Sequence, residues 1–431
     1  MSITLSTAEH CAETPADHRP PLRLRLWAMV WFALLTCAFG VSEAQAREQL
    51  IKAETARVET TSDGTVFRLG LSKGVVVEVF TLSDPYRVVL DMPDVRFAFP
   101  KGTVTRSQGL VKAFRYGLFA PGKARIVLDT AAPVWIDTAE MQNVGGGGKV
   151  ELSLKLVKVD AKQFGQGTGV MRQKRSAAAK QLESDAEALT PKRNNRKPVV
   201  VVDPGHGGVD PGAVASDTVY EKNIVLDVSK ALVRQLKRSG DFAVHATRTA
   251  DVFMSLDDRL AFSRDLNADL FISLHADSLA DTRFASRIRG ATVYTLPERA
   301  SDNHARLMAE KENRSDLIAG LPSVPETASK DVTSILIDLM KRETADYATV
   351  FSRVLVGKLK GSVPVSKAAR RSAAFKVLKQ TRTPSVLIEL GYLSNVTDRK
   401  MMQTKAWQTK AARAISAAVS SYFAKRTARA D

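Results

Sequence analysis

The chain has 431 residues, a formal net charge of +17 and only two cysteines, a length that supports two domains with separate cores. Both cysteines, Cys11 and Cys37, lie in the first 46 residues, so a chain cleaved there has neither disulfides nor thiolate metal ligands. The basic excess says nothing about fold but favours polyanionic partners, and for an exported chain these are wall polymer or membrane headgroups rather than nucleic acid.

The first segment carries a three-part export pattern. Arg19, Arg23 and Arg25 precede an apolar run from Leu26 to Gly40, and Ala44-Gln45-Ala46 follows as a small-residue cleavage site. The run is short for a bilayer span, and Thr36 before Cys37 suits lipid attachment poorly. Residues 1–46 therefore read as a signal peptide, and no stable membrane anchor is expected.

Residues 47–158 read as a small all-β sandwich. Thr65–Leu71, Val75–Leu82, Tyr86–Met92, Val111–Tyr116, Ala124–Thr130 and Val150–Val157 alternate apolar and polar residues with period two. Ser62-Asp63-Gly64, Pro121-Gly122 and the run Gly145–Gly148 separate them as turns. Arg87-Val88-Val89-Leu90-Asp91 is echoed 38 residues later by Arg125-Ile126-Val127-Leu128-Asp129, which suggests two similar halves facing each other. Residues 159–197 turn basic and lose large apolar side chains. They read as a linker without a catalytic role.

From residue 198 to 431 strands alternate with helices. Val199–Val202, Phe242–Thr247, Leu270–His275, Ala291–Leu296 and Ser385–Leu390 are strand-like. Glu221–Arg238 is an amphipathic helix closed by Gly240, and Trp407–Phe423 is a last helix. This pattern predicts an α/β catalytic domain with a mostly parallel sheet covered by helices on both faces, preceded by the small all-β sandwich domain.

Two of the strands end by presenting a histidine, His206 in Asp203-Pro204-Gly205-His206-Gly207-Gly208 and His275 in Ser273-Leu274-His275-Ala276-Asp277. Carboxyl ends of such strands are where ligands collect. A catalytic zinc takes about three nitrogen or oxygen ligands and leaves one position open. Glu221, at a helix start beside the glycine-rich loop, is the best-placed third ligand. It equally suits a plain acidic residue at a helix N-terminus. Glu389 interrupts an apolar strand at its carboxyl end, which is costly unless the carboxylate is paired or functional. It reads as a general base and acid, with an ion pair to an arginine as the alternative. His245 reads as a packed strand residue and His304 as a solvated one. No nucleotide-binding glycine pattern is present.

These segments, with Glu221-Lys222-Asn223 and Ser385-Val386-Leu387-Ile388-Glu389-Leu390-Gly391-Tyr392-Leu393-Ser394-Asn395, resemble in order and spacing the zinc-dependent N-acetylmuramoyl-L-alanine amidases of septal peptidoglycan in Gram-negative bacteria. Arg248, Arg259 and Asn267-Ala268-Asp269 also look like that family. The sandwich resembles an AMIN domain, chiefly through its repeated strand. The resemblance implies one Zn2+ per chain held by His206, Glu221 and His275, with Glu389 as the catalytic glutamate. It implies cleavage of the amide between the muramic acid lactyl group and L-alanine in peptidoglycan, for wall remodelling and daughter-cell separation. It also implies a periplasmic location at the division site, a LytM-type activator protein, and contact with the septal wall or division machinery through the AMIN-like domain. Within 302–345, Leu307–Ala319 and Asp331–Lys341 look helical. The resemblance implies that a helix inserted there covers the zinc, with Glu310 or Glu312 in its open position, and ordinary covering helices are the alternative. Alternatives are a catalytically silent peptidoglycan-binding protein, or a zinc hydrolase cutting another bond of the same polymer.

Overall fold

In the computed structural model, the period-two segments of the N-terminal region close two mostly antiparallel sheets over one core. Residues 50–431 are described, apart from 84, 94, 101–106, 146–147, 162, 165–195, 279–287, 297–299, 322–333 and 428–431. The export segment and most of the linker thus lie outside the described residues. The strands are β1 (Ile51–Thr61), β2 (Gly64–Leu71), β3 (Glu78–Leu82), β4 (Arg87–Pro93), β5 (Val95–Phe97), β6 (Val111–Ala120), β7 (Lys123–Thr130), β8 (Val134–Asn143) and β9 (Val150–Lys158). They form one sheet ordered β5-β1-β2-β9-β8 and another ordered β3-β4-β7-β6.

Strands β1 and β8 have no clear period-two signal. Only Ala53 is buried in β1, and in β8 only Val134 and Ile136 are. The edge strand β8 needs little apolar surface because one side of it has no neighbour. The repeated pentapeptide does not mark two halves facing each other. It forms β4 and β7, which lie side by side, antiparallel, with Arg87 opposite Asp129, Val89 opposite Val127 and Asp91 opposite Arg125. Val88, Leu90, Ile126 and Leu128 point into the sandwich core, while Val89 and Val127 pack on its other side.

The second sheet system contains β10 (Val199–Pro204), β13 (Ala243–Ala246), β14 (Leu270–His275), β15 (Ala291–Thr295), β16 (Val365–Ser372) and β17 (Ser385–Glu389), with a short ribbon of β11 (Val214–Ser216) and β12 (Val219–Tyr220). The sheet order is β13-β10-β14-β17-β15-β16. All neighbours are parallel except β15 and β17. Helices are α1 (Glu221–Ser239), α2 (Leu256–Asp265), α3 (Asn303–Glu312), α4 (Ser315–Ile318), α5 (Ser334–Lys360), α6 (Val396–Met402) and α7 (Lys405–Thr427). Val200, Val202, Ile272 and Ile388 pack with residues of α1, α5 and α7. Val199, Val201, Phe271 and Leu387 face the other way, toward Leu256 of α2 and Ala305 and Met308 of α3. The parallel sheet is therefore covered on both faces, as its continuous apolar strands demand. Gly240 ends α1 in a left-handed conformation at φ 75°.

The segment expected as one helix from Leu307 to Ala319 is two, because α3 stops at Glu312 and α4 restarts at Ser315. Of the expected helix Asp331–Lys341, residues 331–333 lie outside the described residues. The helix that follows runs on to Lys360 and packs through Phe351, Leu355 and Leu359 into the main core. His304 is half-buried, with its ring 6.3 Å from Tyr392, rather than solvated. No helix among the described residues is long and apolar enough to cross a membrane.

Candidate metal and catalytic centre

Three neighbouring parallel strands, β10, β14 and β17, deliver their carboxyl ends to one place. Pro204 pairs with Leu274, and His275 pairs with Glu389. His206 follows β10 by two residues in a left-handed conformation, φ 59°, which non-glycine residues rarely adopt. Strain of this kind persists where surrounding contacts over-determine it. Here Arg259 donates to Asp203 Oδ1, to the Pro204 carbonyl at 2.8 Å and to the His206 carbonyl at 2.8 Å. Arg248 donates to the carbonyls of Pro204 (3.0 Å), Gly205 (2.8 Å) and Lys222 (2.9 Å). Two buried guanidiniums thus fix the loop that carries the histidine and tie it to the start of α1.

His206 Nδ1 lies 2.8 Å from Asp210 Oδ2, which turns Nε2 toward the other site residues. Nε2 is 3.3 Å from Glu221 Oε2 and 3.2 Å from Glu312 Oε2. His275 Nδ1 is 3.2 Å from Glu221 Oε1 and 3.2 Å from Glu312 Oε2. Both ring nitrogens are buried, yet neither has a hydrogen-bond partner. The tightest grouping is His206, His275 and Glu312, whose ligand atoms lie within 4.8 Å of one another. Glu221 reaches both imidazoles while also accepting the Ala213 and Ala276 N–H groups at 2.8 and 2.7 Å. Converging imidazole and carboxylate atoms without hydrogen-bond geometry are a donor set that fits a divalent cation such as zinc.

Electrostatics follow from this crowding. Burial opposes a charge on His275, but Glu312 and Glu221 outweigh it and push the pKa up to about 10. Asp210, Glu221 and Glu312 raise His206 in the same way against its burial. Burial would raise Glu312, but the two imidazoles hold it far below the usual carboxylate range. Glu389 behaves oppositely. Burial, with help from Asp277 and Glu221, lifts it well above an ordinary glutamate, although His275 pulls the other way. Its Oε2 accepts the Asp277 N–H at 3.0 Å, while Oε1 is buried without a partner. No arginine pairs with it among the described residues.

The structure thus brings His206, Glu221, His275, Glu389 and Glu312 together, but not Glu310. Positions 310 and 312 are about 200° apart around a helix. Glu312 shares the buried face of α3 with Ala305, Met308 and Ala309. Glu310 is exposed and pairs with Arg306 at 2.5 Å. Sequence reasoning missed three further contacts. Asp210 orients His206, Ser315 donates to that same Asp210 oxygen at 2.5 Å, and Lys311 pairs with Asp277. The i, i+3, i+4, i+7 face ending at Glu312 was the signal available for that residue. Asp210, four residues after His206, offered only its proximity.

Comparison with known proteins gives the family of the chain. The sequence profile of the N-acetylmuramoyl-L-alanine amidase family matches residues 200–421, and that of the AMIN domain matches residues 55–154. The N-acetylmuramoyl-L-alanine amidase AmiC of Neisseria meningitidis serogroup B is 28% identical over 416 residues, covering 93% of this chain and 96% of its own. AmiC of Escherichia coli O6:H1 is 29% identical over 378 residues, covering 85% and 88%. AmiA of Escherichia coli K12 is 37% identical over 238 residues, covering 54% of this chain and 78% of its own. With its catalytic half matched from the first buried strand to the last helix, the chain belongs to the N-acetylmuramoyl-L-alanine amidase family and carries an AMIN domain ahead of the catalytic one.

Proposed function

We propose that His206, Glu221 and His275 hold one zinc ion per chain, and that Glu389 carries the protons when the amide between the N-acetylmuramic acid lactyl group and L-alanine is hydrolysed. The observation that carries this reading is the pair of buried imidazole nitrogens that meet carboxylates without hydrogen bonds. When bound there, a zinc ion would supply Lewis-acid chemistry to the amide and to the attacking water.

The protein's own groups do the rest. Glu389, raised by burial, is poised to accept the proton of the attacking water and then give it to the departing amine of L-alanine. The Asp277 N–H holds Oε2 and leaves Oε1 for that proton. Water adds across the amide, so the products are a lactyl carboxylate on the glycan and a stem peptide with a free amine. Asp210 keeps the His206 Nδ1 proton, so that Nε2 stays a ligand.

Glu312 competes with substrate for the same position. Its carboxylate faces both imidazoles, and Ser315 and Lys311 beside it grip Asp210 and Asp277. The segment from 303 to 321 is read as an inhibitory plug, released by a LytM-type activator in the periplasm. The AMIN domain is read as the module that meets the septal wall, and daughter-cell separation as the outcome. The test is mass spectrometry of peptidoglycan digested by zinc-loaded full chain carrying Glu312→Ala, with and without Glu389→Gln. Free stem peptides are expected from the first, and a rate lower by about 10²- to 10⁴-fold from the second at equal zinc content. An unchanged rate for Glu389→Gln removes that residue as proton carrier. Uncut stems from folded, zinc-loaded Glu312→Ala chain bring the silent binding protein forward.

A further inference from the structure

The outward side of β4 and β7 is not exposed. Arg87, the first residue of the repeated pentapeptide, is fully buried and donates to the Leu317 carbonyl, and at 3.3 Å to that of Leu321. Arg125, the first residue of the echo, donates to the carbonyls of Ala319 at 3.0 Å and Gly320 at 3.2 Å. Arg115 of β6 donates to the Ile318 carbonyl at 3.2 Å. Five consecutive carbonyls at the end of α4 are thus capped by three arginines of the sandwich. Arg125 is held in turn by Asp91 at 2.6 Å, and Arg115 by Asp129 at 2.8 Å.

The apolar contact coincides with the polar one. Val89 and Val127 form a small core with Val209, Phe253 and Ala319. Gly320, at φ 78°, lies so close that an added Cβ would stand 3.2 Å from both valines. The sandwich also grips the catalytic side directly. Phe253 donates its N–H to the Leu118 carbonyl at 3.0 Å, and its ring stacks on Phe119 at 5.6 Å. Only four residues separate Gly320 from Ser315, which itself bonds to the partner of His206.

We propose that the AMIN domain is an intramolecular clamp, whose β4–β7 face holds the plug segment 303–321 in the catalytic centre and must let go for the enzyme to work. This rests on the reading that Glu312 blocks the centre. Buried guanidiniums that lose their carbonyl partners without access to water are penalised. Seating of the plug and docking of the sandwich are therefore one coupled equilibrium. Whatever moves the sandwich off residues 317–321 frees Glu312, and clearing Glu312 loosens the sandwich.

The test uses zinc-loaded full chain. Val127→Lys brings a second cation against Arg125 without entering the sandwich core, and Gly320→Val pushes from the opposite side of the contact. Each is expected to raise peptidoglycan release by about 5- to 150-fold, the ordinary range of coupling between sites. Each should also raise amide hydrogen exchange over 303–321 while β2 and β9 stay protected, and add nothing further to Glu312→Ala. If Glu312→Ala is fast but both variants keep the basal rate while exchange over 303–321 rises, the clamp does not control the plug and the proposal falls alone. If Glu312→Ala is itself no faster than the parent chain, the blocking reading fails and takes the clamp with it.

Discussion

A methyl group at Gly205 would stand 2.4 Å from the imidazole of His275. The β10 loop and the end of β14 are therefore packed against each other with no room for a side chain, and the ring position of one ligand candidate depends on the absence of atoms beside the other.

Gly205→Ala should shift the His275 ring. A clash of this size in a packed interior costs about 1–3 kcal/mol, and a misplacement near 1 Å at a reacting centre costs about 10²-fold in rate. The expected result is a chain with reduced zinc content, a lowered denaturation midpoint and activity down by about that factor. Full zinc content at unchanged activity would show that the loop gives way freely.

Glu312 and Glu310 should respond differently to the same change. Glu312→Ala removes the carboxylate that faces both imidazoles and is expected to raise the basal rate by about tenfold or more. Glu310→Ala removes only an exposed contact with Arg306 and should leave rate and stability unchanged, because surface pairs contribute little. Dye release from labelled peptidoglycan separates the two. Equal rates for both variants would contradict the assignment of the plug to Glu312.

Metal binding should release protons. In the metal-free chain Glu312 and Glu221, acting against burial, push the His275 pKa up to about 10, so the ring is charged at about pH 7.5 and must lose its proton to become a ligand. Calorimetric titration of zinc in buffers of different protonation enthalpy should detect that release. The raised pKa also sets a sign for stability. The charged imidazole stabilises the metal-free fold fully below about 6.5, and this contribution is lost as pH rises through about 10. The thermal midpoint of chelator-treated protein should fall over that window. A midpoint that rises across it would overturn the assignment.

Much of the catalytic half was legible in its sequence because its signals are local. A parallel strand buried on both faces must be apolar along its length, so Val199–Pro204 and Leu270–His275 stand out, and a polar residue at such an end is conspicuous. The period of α1 and the left-handed Gly240 mark that helix in the same way. Strands β1 and β8 escaped because they bury few side chains, and β16, at the edge of the sheet, carries lysine and arginines.

What the sequence by itself marked was the fold class, the two strand-end histidines and the carboxylate Glu389, each written in a short window by periodicity and by the cost of burying charge, while Glu221 was left open there between a ligand and a plain helix-start residue. Only tertiary structure decided that Glu312 rather than Glu310 meets the histidines, that Asp210 orients His206, and that the repeated Arg-Val/Ile-Val-Leu-Asp strands lie side by side with their arginines on residues 317–321. Most of these contacts span the chain, from 105 positions for Ser315 with Asp210 to 230 for Arg87 with Leu317, although Asp210 and His206 are only four apart. Their physical basis is shape and hydrogen-bond satisfaction between surfaces, which no local pattern of residues encodes.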